Sequence, residues 1–538
     1  MPSDNETSPT VAQQQNDVVA GVVSTSASEK RRIQWLQKQF RHLRSLLHYR
    51  LPNLTILQDP EVREYVRNRD EQSNVATRVP PDAELRLRAL WGVEIFGPKE
   101  ADGLFAALKR LGWDDDEQRA KVGAGASQWI SEQRTYGSGG NFNLGLIHRK
   151  GQRTFFPTGL HAPVPESVDY MSGYIYQVSP SITAIILCFV LTDEISTSYE
   201  SALNTDRRTR NQSMRRSGGY HILDVEHLKR NAVEEIRLNS RRMVTRWFHD
   251  NLPGFFSLAC DGNRLPTGEL ITTANKSLYL EPSTAPHREQ LWARLLTGYS
   301  FRDIWTLKSF NGLSLALNES NDMSRFHSIV TLQTDLLRDE HLKYMGERGT
   351  PTYTAFVCYR VQGILVRFAV IGFLRDVIRT LRITRDTISA KMDGYRAVLR
   401  TIAHIKSFFD MSIGVPTMTA ELAMASEQGS AYCWDCEDFE SQPWRPSETP
   451  AKIADTLRTR THYLATRTLA QEKETREHLE QVSTILSTRE SIKAQKKMEI
   501  MTIVAILVAA ASLLVALMSV DQLSTTFFSQ VERLFNNS

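Results

Sequence analysis

Residues 500–520 read IMTIVAILVAAASLLVALMSV, and this stretch determines how the rest of the chain must be arranged. It contains no charged residue, Gly or Pro, and eleven of its positions are Leu, Ile or Val. A helix of this length spans a hydrocarbon core of roughly 30 Å. Each Leu, Ile or Val favours insertion by about 0.3 to 0.6 kcal/mol. The stretch therefore predicts a transmembrane helix from Ile500 to Val520 rather than a buried helix of a soluble domain.

Lysine residues stand on only one side of this stretch. Lys493, Lys496 and Lys497 precede it, whereas the segment 521–538 contains a single basic residue, Arg533. The positive-inside rule places the lysine-rich side of a span in the cytoplasm. We therefore expect a single-pass, tail-anchored membrane protein with its N-terminal bulk in the cytoplasm.

The composition is that of a globular chain rather than a disordered or polytopic one. Its 538 residues are 41% hydrophobic and 23% charged, with a net charge of +4. So small a charge gives no general case for nucleic acid. The basic segment 207–216 lacks interleaved aromatic residues, so we expect no specific nucleic acid binding. Five scattered cysteines argue against a disulfide framework and favour a reducing cytosol.

We expect an α+β fold, mostly α, in which a mixed α/β domain is followed by long helices. The first 28 residues are rich in Ser, Thr, Gln and Asn and show no apolar periodicity, which is typical of disorder. The predicted units are a disordered tail over 1–28, a cytosolic α/β domain over 29–350, a helical hairpin over 351–428, a linker over 429–450, a long stalk helix over 451–499, the transmembrane helix over 500–520 and a short tail over 521–538.

The strand-rich part of the α/β domain is predicted at about 140–195. Within it, Tyr174–Val178 and Ile182–Leu191 flank a Ser-Pro-Ser turn, and the second run is apolar on both faces. Such a run is typical of a central strand that is covered on both sides. Residues 82–134, in contrast, are expected to form helices that are interrupted at Gly97-Pro98 and at Gly112.

The glycine-rich segment 136–145 runs into an expected strand. A phosphate-binding loop requires Gly-Lys-Ser/Thr at the start of a helix. A hairpin or flexible turn is therefore the preferred interpretation. The sequence identifies no catalytic or cofactor-binding residue, and an active site in the 137–194 region stays an alternative.

Residues 355–374 form a second strongly apolar stretch, but it contains Arg360 and Arg367. An arginine near the centre of a span costs about 2.5 to 3.5 kcal/mol, which offsets the contribution of the apolar residues. The arginines also fall on roughly one helical face together with Arg375. We therefore expect a soluble amphipathic helix with a basic stripe.

A long helix is expected from about Ile453 into the span, because residues 451–538 contain neither Gly nor Pro. Its apolar stripe consists of Leu479, Val482, Leu486 and Ile492. The stripe could form a coiled coil, but its spacing is irregular for one. Packing against the helices of 355–411 is therefore preferred.

A basic amphipathic helix is predicted over 29–49. Its apolar positions recur every three or four residues, at Ile33, Leu36, Phe40, Leu43 and Leu47. Lysine and arginine residues on the other face would suit an anionic lipid surface. Packing of the apolar stripe on the protein's own domain is the preferred interpretation.

Cys433 and Cys436 are the closely spaced cysteines of the chain, and they lie in the expected linker. A Cys-x-x-Cys pair supplies half of a structural zinc site, and no second pair or suitably spaced His accompanies it. A redox pair would open a helix in a thioredoxin-like unit. The pair is therefore a weak metal candidate. Two reduced thiols are the preferred interpretation, and no cofactor is expected.

The order of a cytosolic α/β domain, long helices and a C-terminal span resembles the layout of CorA-type magnesium transport proteins over about the last third of the chain. That family follows its pore helix with Gly-Met-Asn and a second span. Here Val520 is followed by Asp521-Gln522-Leu523, and no second span is expected. The resemblance implies an oligomeric pore or cation transporter built from single spans.

Three functions can be compared on this basis. The preferred hypothesis is a non-enzymatic module, tethered to a membrane, that senses, scaffolds or forms a homo-oligomer. The alternatives are the single-span pore and a membrane-anchored enzyme. An enzyme requires a pocket in which polar groups with perturbed pKa values converge, and a pore requires a ring of protomers.

Overall fold

The computed structural model describes residues 32–40, 60–114, 125–137, 139–151, 160–213, 220–259, 264–279, 291–298, 304–318, 326–343, 345–389, 412–427, 432–441 and 447–535, together with single positions at 43, 403, 405, 406, 408 and 409. The predicted disordered tail over 1–28 lies outside the described residues.

The helices of the described residues are α1 Pro60–Ala76, α2 Ala101–Arg110, α3 Ala126–Tyr136, α4 Asp193–Ser196, α5 Ser198–Asn204, α6 Val225–Asn251, α7 Leu291–Thr297, α8 Thr350–Ser389, α9 Val415–Glu427 and α10 Ile453–Phe535. The strands are β1 Arg86–Phe96, β2 Gly140–Arg149, β3 Leu160–Ala162, β4 Val168–Ser179, β5 Ile182–Leu191, β6 Arg210–Ser213, β7 Tyr220–Leu223, β8 Thr267–Thr273, β9 Ile304–Leu307, β10 Leu313–Asn318, β11 His327–Gln333 and β12 Phe439–Ser441. The predicted α+β fold, mostly α, is confirmed.

Ten of these strands form one mixed sheet in the order β12-β9-β10-β11-β8-β1-β5-β4-β2-β3. Most neighbours are antiparallel, while β8 with β11 and β2 with β3 are parallel. β5 lies in the interior between β1 and β4, and all of its residues are buried. The predicted central strand is confirmed, because its continuous apolar sequence fits a position covered on both faces.

β1 corrects the prediction that residues 82–134 are helical. Its Trp91 pairs with Cys188 of β5 on one side and with Gly268 of β8 on the other. The local sequence mixes Arg, Leu and Ala, which are compatible with a helix. Pairing with two strands far along the chain selects the extended conformation instead. The helical prediction holds for α2 and α3.

Helices cover both faces of the sheet. On one face, Gly92 of β1 lies against α6, whose Val244 and Phe248 side chains occupy the space that a Cβ atom would need. On the other face, Gly268 of β8 lies against Leu365 of α8. Adjacent residues of a strand point to opposite faces. The register therefore places α6 and α8 on opposite sides of the sheet.

α8 is a buried core helix rather than an amphipathic one. All residues from 361 to 374 are buried, including Arg367. The prediction that this stretch is a helix of the folded domain rather than a membrane span agrees with this burial, but the predicted amphipathic character does not. The predicted solvent-facing basic stripe is wrong at its centre, because Arg367 pairs with Asp435 at 2.8 Å inside the protein.

α10 runs through two different environments. From Ile453 to Leu486, residues at helical spacing are buried against α8 and α9. The predicted packing of the stalk on α8 is therefore confirmed. Leu479 and Val482 are buried, whereas Ile492 is 50% exposed. All residues from 491 to 519 are exposed.

Part of the segment predicted as a linker belongs to the folded domain. β12 pairs with β9 and forms one edge of the large sheet. Tyr432 and Cys433 are buried. α8, predicted as one arm of a separate hairpin, packs on β1 and β5. Most of the other arm, 390–402, lies outside the described residues.

Candidate membrane anchor and buried clusters

Residues 500–519 of α10 form the strongest candidate site. Within the described part of the chain, two helices, α8 and α10, are long and apolar enough to cross a membrane. The apolar window of α8 is 89% buried, whereas that of α10 is 0% buried. The large apolar side chains from Ile500 to Met518 are each more than 50% exposed. A continuous apolar surface of this kind marks an interaction site for a membrane or another protein.

The polar residues of the anchor segment satisfy their hydrogen bonds within the helix. The hydroxyl of Thr502 donates to the carbonyl of Met498 at 2.8 Å, and Ser512 donates to Val508 at the same distance. Ser519 donates to Ala516 at 2.7 Å. A polar group without a partner is costly in hydrocarbon. These internal bonds make the three hydroxyls compatible with lipid and leave no need for a polar pore lining.

The three predicted anchor lysines lie between the folded domain and the apolar segment. Lys493 pairs with Glu490 at 3.1 Å on the helix surface. The last buried residue of α10, Leu486, precedes Ile500 by a helical rise of about 20 Å. The structure therefore brings Lys493, Lys496 and Lys497 to the end of a short exposed stalk, directly before the apolar surface.

The N-terminal helical segment corrects a further expectation. Residues 32–40 are helical, and their side chains are exposed. Ile33 is 53% exposed, Leu36 57% and Phe40 71%. The preferred interpretation, in which this stripe packs on the protein's own domain, is wrong for the described positions. Leu47 lies outside the described residues.

Cys433 and Cys436 lie in a turn that packs between α8 and the start of α10. The Cys433 thiol donates to the carbonyl of Ala454 at 3.5 Å. Asp435, within the turn, pairs with Arg367 of α8. In the part of the chain that the structure describes, three or more His, Cys, Asp or Glu residues nowhere come together as a metal site would require.

A buried ionic cluster lies under α6, and no local sequence pattern predicted it. Glu269 of β8 is completely buried and accepts hydrogen bonds from Arg237 at 2.7 Å and from Tyr199 at 2.6 Å. His327 lies 3.4 Å from the same carboxylate. Burial alone would raise the pKa of Glu269, but Arg237 and His327 together hold it far below its usual range.

This cluster resembles catalytic machinery in its residue types, yet the Glu269 carboxylate is already bonded to Arg237 and Tyr199. Arg237 also donates to the carbonyl of Leu296, and the hydroxyl of Thr267 bonds to Nδ1 of His327. Burial lowers the pKa of His327. The side chains of Arg237, Glu269 and His327 are each at most 9% exposed. The arrangement braces α6 against the sheet.

A cavity of about 240 Å³ lies where the enzyme alternative expected a site, between β2, β4 and α8. Its described lining residues are Asn143, Gly145, Leu146, Tyr170, Ser172, Tyr174, Thr354, Ala355, Cys358 and Tyr359. Burial raises the pKa values of Tyr170 and Tyr174. This described lining holds no carboxylate, imidazole or amine for acid–base chemistry, and the volume lies below the range of ordinary ligand pockets.

No protein-family model matches the chain, and no curated protein is found to be similar to it.

Proposed function

We propose that this protein is a membrane-tethered module whose folded α/β domain lies in the cytoplasm and whose single span is residues 500–520. The observation that carries the proposal is the contrast in burial: the apolar surface of residues 500–519 is entirely exposed, whereas that of α8 is covered by the domain. The eleven Leu, Ile and Val residues favour insertion by about 3 to 7 kcal/mol in total. The folded domain then senses, scaffolds or oligomerises at the bilayer.

Membrane fractionation tests the anchor. The full chain is expected to stay in the membrane pellet after extraction at alkaline pH. A chain ending at residue 490 is expected to move to the soluble fraction, because the apolar surface is removed while the packed part of α10 remains. Retention of the shortened chain by vesicles of neutral lipid would contradict the proposal.

Glycosylation in a microsomal insertion assay tests the orientation. The chain contains Asn275-Lys276-Ser277 and Asn318-Glu319-Ser320, which fit the acceptor pattern for N-linked glycans. If the lysines before the span are cytoplasmic, these acceptors remain unmodified, and an acceptor appended after Ser538 is modified. A glycan on Asn275 or Asn318 would reverse the orientation.

We also propose that the helical segment 32–40 contacts an anionic lipid surface. Its exposed Ile33, Leu36 and Phe40 share one helical face, and Arg32 and Lys38 are exposed beside it. In the chain ending at residue 490, binding to anionic vesicles should exceed binding to neutral vesicles and should fall with Phe40→Glu. Equal binding of the two variants would contradict this contact.

The size of the full chain in mild detergent separates a tether from a pore. The internal hydrogen bonds of Thr502, Ser512 and Ser519 support a span that needs no ring of partners. A monomer or a small oligomer agrees with a tether. A discrete ring of protomers would support the single-span pore instead.

A further inference from the structure

The Cys433–Cys436 turn has the backbone geometry of a disulfide-forming pair. The N–H of Cys436 donates to the carbonyl of Cys433 at 3.0 Å, which closes a four-residue turn. Such a turn brings its first and last Cα atoms within about 7 Å. Disulfides join Cα atoms about 4.4 to 6.8 Å apart. Both cysteines are free, and each thiol shifts the pKa of the other.

The surroundings of the pair favour a thiolate at Cys433, whereas Cys433 and burial raise the pKa of the Cys436 thiol. Arg367 lies beside the turn with its side chain 5% exposed, and it is fixed by Asp435 at 2.8 Å and by the carbonyl of Tyr432 at 3.0 Å. The hydrogen bond with Cys436 lowers the pKa of the Cys433 thiol, burial opposes this effect, and Arg367 lowers the pKa further. A neighbouring arginine is one of the features that activate cysteines, although Asp435 opposes its effect here. Cys436 is the partly exposed member of the pair, and Cys433 is buried.

The turn is seated firmly but can be reached from solvent. A side chain at Gly363 of α8 would collide with the Asp435 carboxylate, so the turn packs directly on the helix backbone. Cys433 is 8% exposed, Trp434 between the cysteines is 57% exposed, and Cys436 is half-buried. A small soluble oxidant can therefore approach the pair while the rest of the turn stays in place.

We propose that Cys433 and Cys436 are a reversible dithiol–disulfide pair at the joint between α8 and the start of α10, and that it exchanges with low-molecular-weight disulfides of the glutathione type. The Cys433 thiolate attacks one sulfur of glutathione disulfide, forms a mixed disulfide and releases one glutathione thiolate. Cys436 loses its proton, attacks the Cys433 sulfur and releases the second glutathione. The protein loses two electrons to the glutathione disulfide, and the two thiol protons end on the two glutathione molecules.

The disulfide would alter one contact of the stalk. The Cys433 thiol is the donor to the carbonyl of Ala454, in the first turn of α10. Oxidation removes this proton and therefore this hydrogen bond. The oxidation state of the pair is thus communicated to the base of the helix that leads to the apolar segment.

Thiol counting on the full chain in detergent tests the pair. The folded protein is incubated with glutathione buffers of increasing oxidised fraction, and the remaining thiols are alkylated and counted by mass. Two of the five cysteines should become protected together, and peptide mapping should show one bond between Cys433 and Cys436. Reduction with excess reduced glutathione should restore both thiols.

Single variants make the test specific. Cys436→Ser should stop at one glutathione adduct on Cys433, and Cys433→Ser should protect no pair of thiols. Cys260→Ser is the matched control and should still lose two thiols. Cys433→Ala replaces Cys433→Ser if the latter fails to unfold cooperatively. The proposal is overturned if oxidised glutathione leaves all thiols of the folded protein free or joins a different pair, such as Cys188 with Cys358.

Discussion

The central part of α8 and residues 500–519 of α10 are both long and apolar enough to cross a membrane, yet they lie in opposite environments. Both qualify as membrane spans by these criteria, but the first is covered by the sheet and α10, and the second is covered by nothing in the described chain. Sufficient length and hydropathy therefore do not by themselves make a helix a membrane span, although the segment of α10 is the more apolar of the two. The difference between them lies in their charged residues and in the partners of those residues.

α8 contains charges that the domain satisfies. Arg367 pairs with Asp435, and Asp376, which is 3% exposed, pairs with Arg264 at 3.2 Å. In a bilayer, each of these charges would need a partner or would have to reach the surface. The polar side chains of residues 500–519 are three hydroxyl groups, and each is hydrogen-bonded to a carbonyl of the same helix. The core helix thus depends on distant parts of the chain, whereas the apolar segment of α10 is self-sufficient.

The largest expected effect comes from giving the apolar segment the charges that α8 has. The double variant Leu507→Arg with Leu514→Arg adds about 5 to 7 kcal/mol to the cost of insertion, which cancels the contribution of the apolar residues. We expect the protein to leave the alkaline-resistant membrane pellet. Membrane fractionation of the wild type and the double variant, both detected with the same antibody or tag, measures the fraction that leaves the pellet.

The matched control is Leu507→Ala with Leu514→Ala, which shortens the same side chains without adding charge. This control should remain in the membrane pellet. If the arginine variant stays in the pellet to the same extent as the control, residues 500–519 do not span the bilayer, and the contrast with α8 is lost.

The second-largest effect is expected from the reverse experiment, in which α8 loses a buried charge that is paired inside the domain. Arg367→Met leaves Asp435 buried without its partner and should lower the free energy of unfolding by about 3 to 5 kcal/mol. The double variant Arg367→Met with Asp435→Asn removes both charges and should recover much of this loss. Urea unfolding of the detergent-solubilised protein measures both. Equal stability of wild type and Arg367→Met would show that the pair does not stabilise α8.

Local patterns were sufficient for the elements whose environment is uniform. β5 is apolar at every position and could be placed in the sheet interior from its own sequence. The exposed apolar part of α10 could also be predicted from its own sequence, because residues 500–519 are apolar on all sides of the helix. β1 was missed because its strand conformation depends on β5 and β8, which are about 90 and 180 residues away along the chain.

The buried polar contacts could not be predicted, because their members are separated along the chain. Glu269, Arg237 and Tyr199 come from three different elements and meet only after the sheet and α6 are assembled. Likewise, Asp435 stood in an expected linker, and only the packed turn shows that it neutralises Arg367, 68 residues earlier. The N-terminal helix illustrates the opposite error, since its apolar stripe predicted a packing partner that the described positions lack.

The smallest expected effect concerns a buried carboxylate that binds the backbone of a turn packed against α8. Glu94 is completely buried and accepts hydrogen bonds from the backbone N–H groups of Phe256 at 2.8 Å and Ser257 at 2.9 Å. The adjacent Phe255 packs edge-on against Phe373 of α8, with 4.7 Å between ring centroids. Burial raises the pKa of Glu94 to about 7, although these N–H groups oppose the shift.

This raised pKa predicts that the stability of the folded domain, which includes α8, depends on pH. The apolar segment of α10 lies outside this domain and is not expected to contribute to the effect. Because the folded-state pKa lies above the unfolded value of 4.5, the stabilisation is complete below pH 4.5 and is lost as the pH rises to about 7. At about 1.4 kcal/mol per pH unit, the loss over this interval amounts to roughly 3 to 4 kcal/mol at most. The Glu94→Gln variant has no carboxyl group to titrate at this position. Between pH 4.5 and 7, its free energy of unfolding should therefore decrease less than that of the wild type, and the difference should equal this loss. Urea unfolding of both proteins at several pH values measures this difference. Subtracting one profile from the other removes the contribution of groups that titrate in both proteins. Parallel pH profiles would show that Glu94 is ionised in the folded protein throughout, held by the N–H groups of the turn.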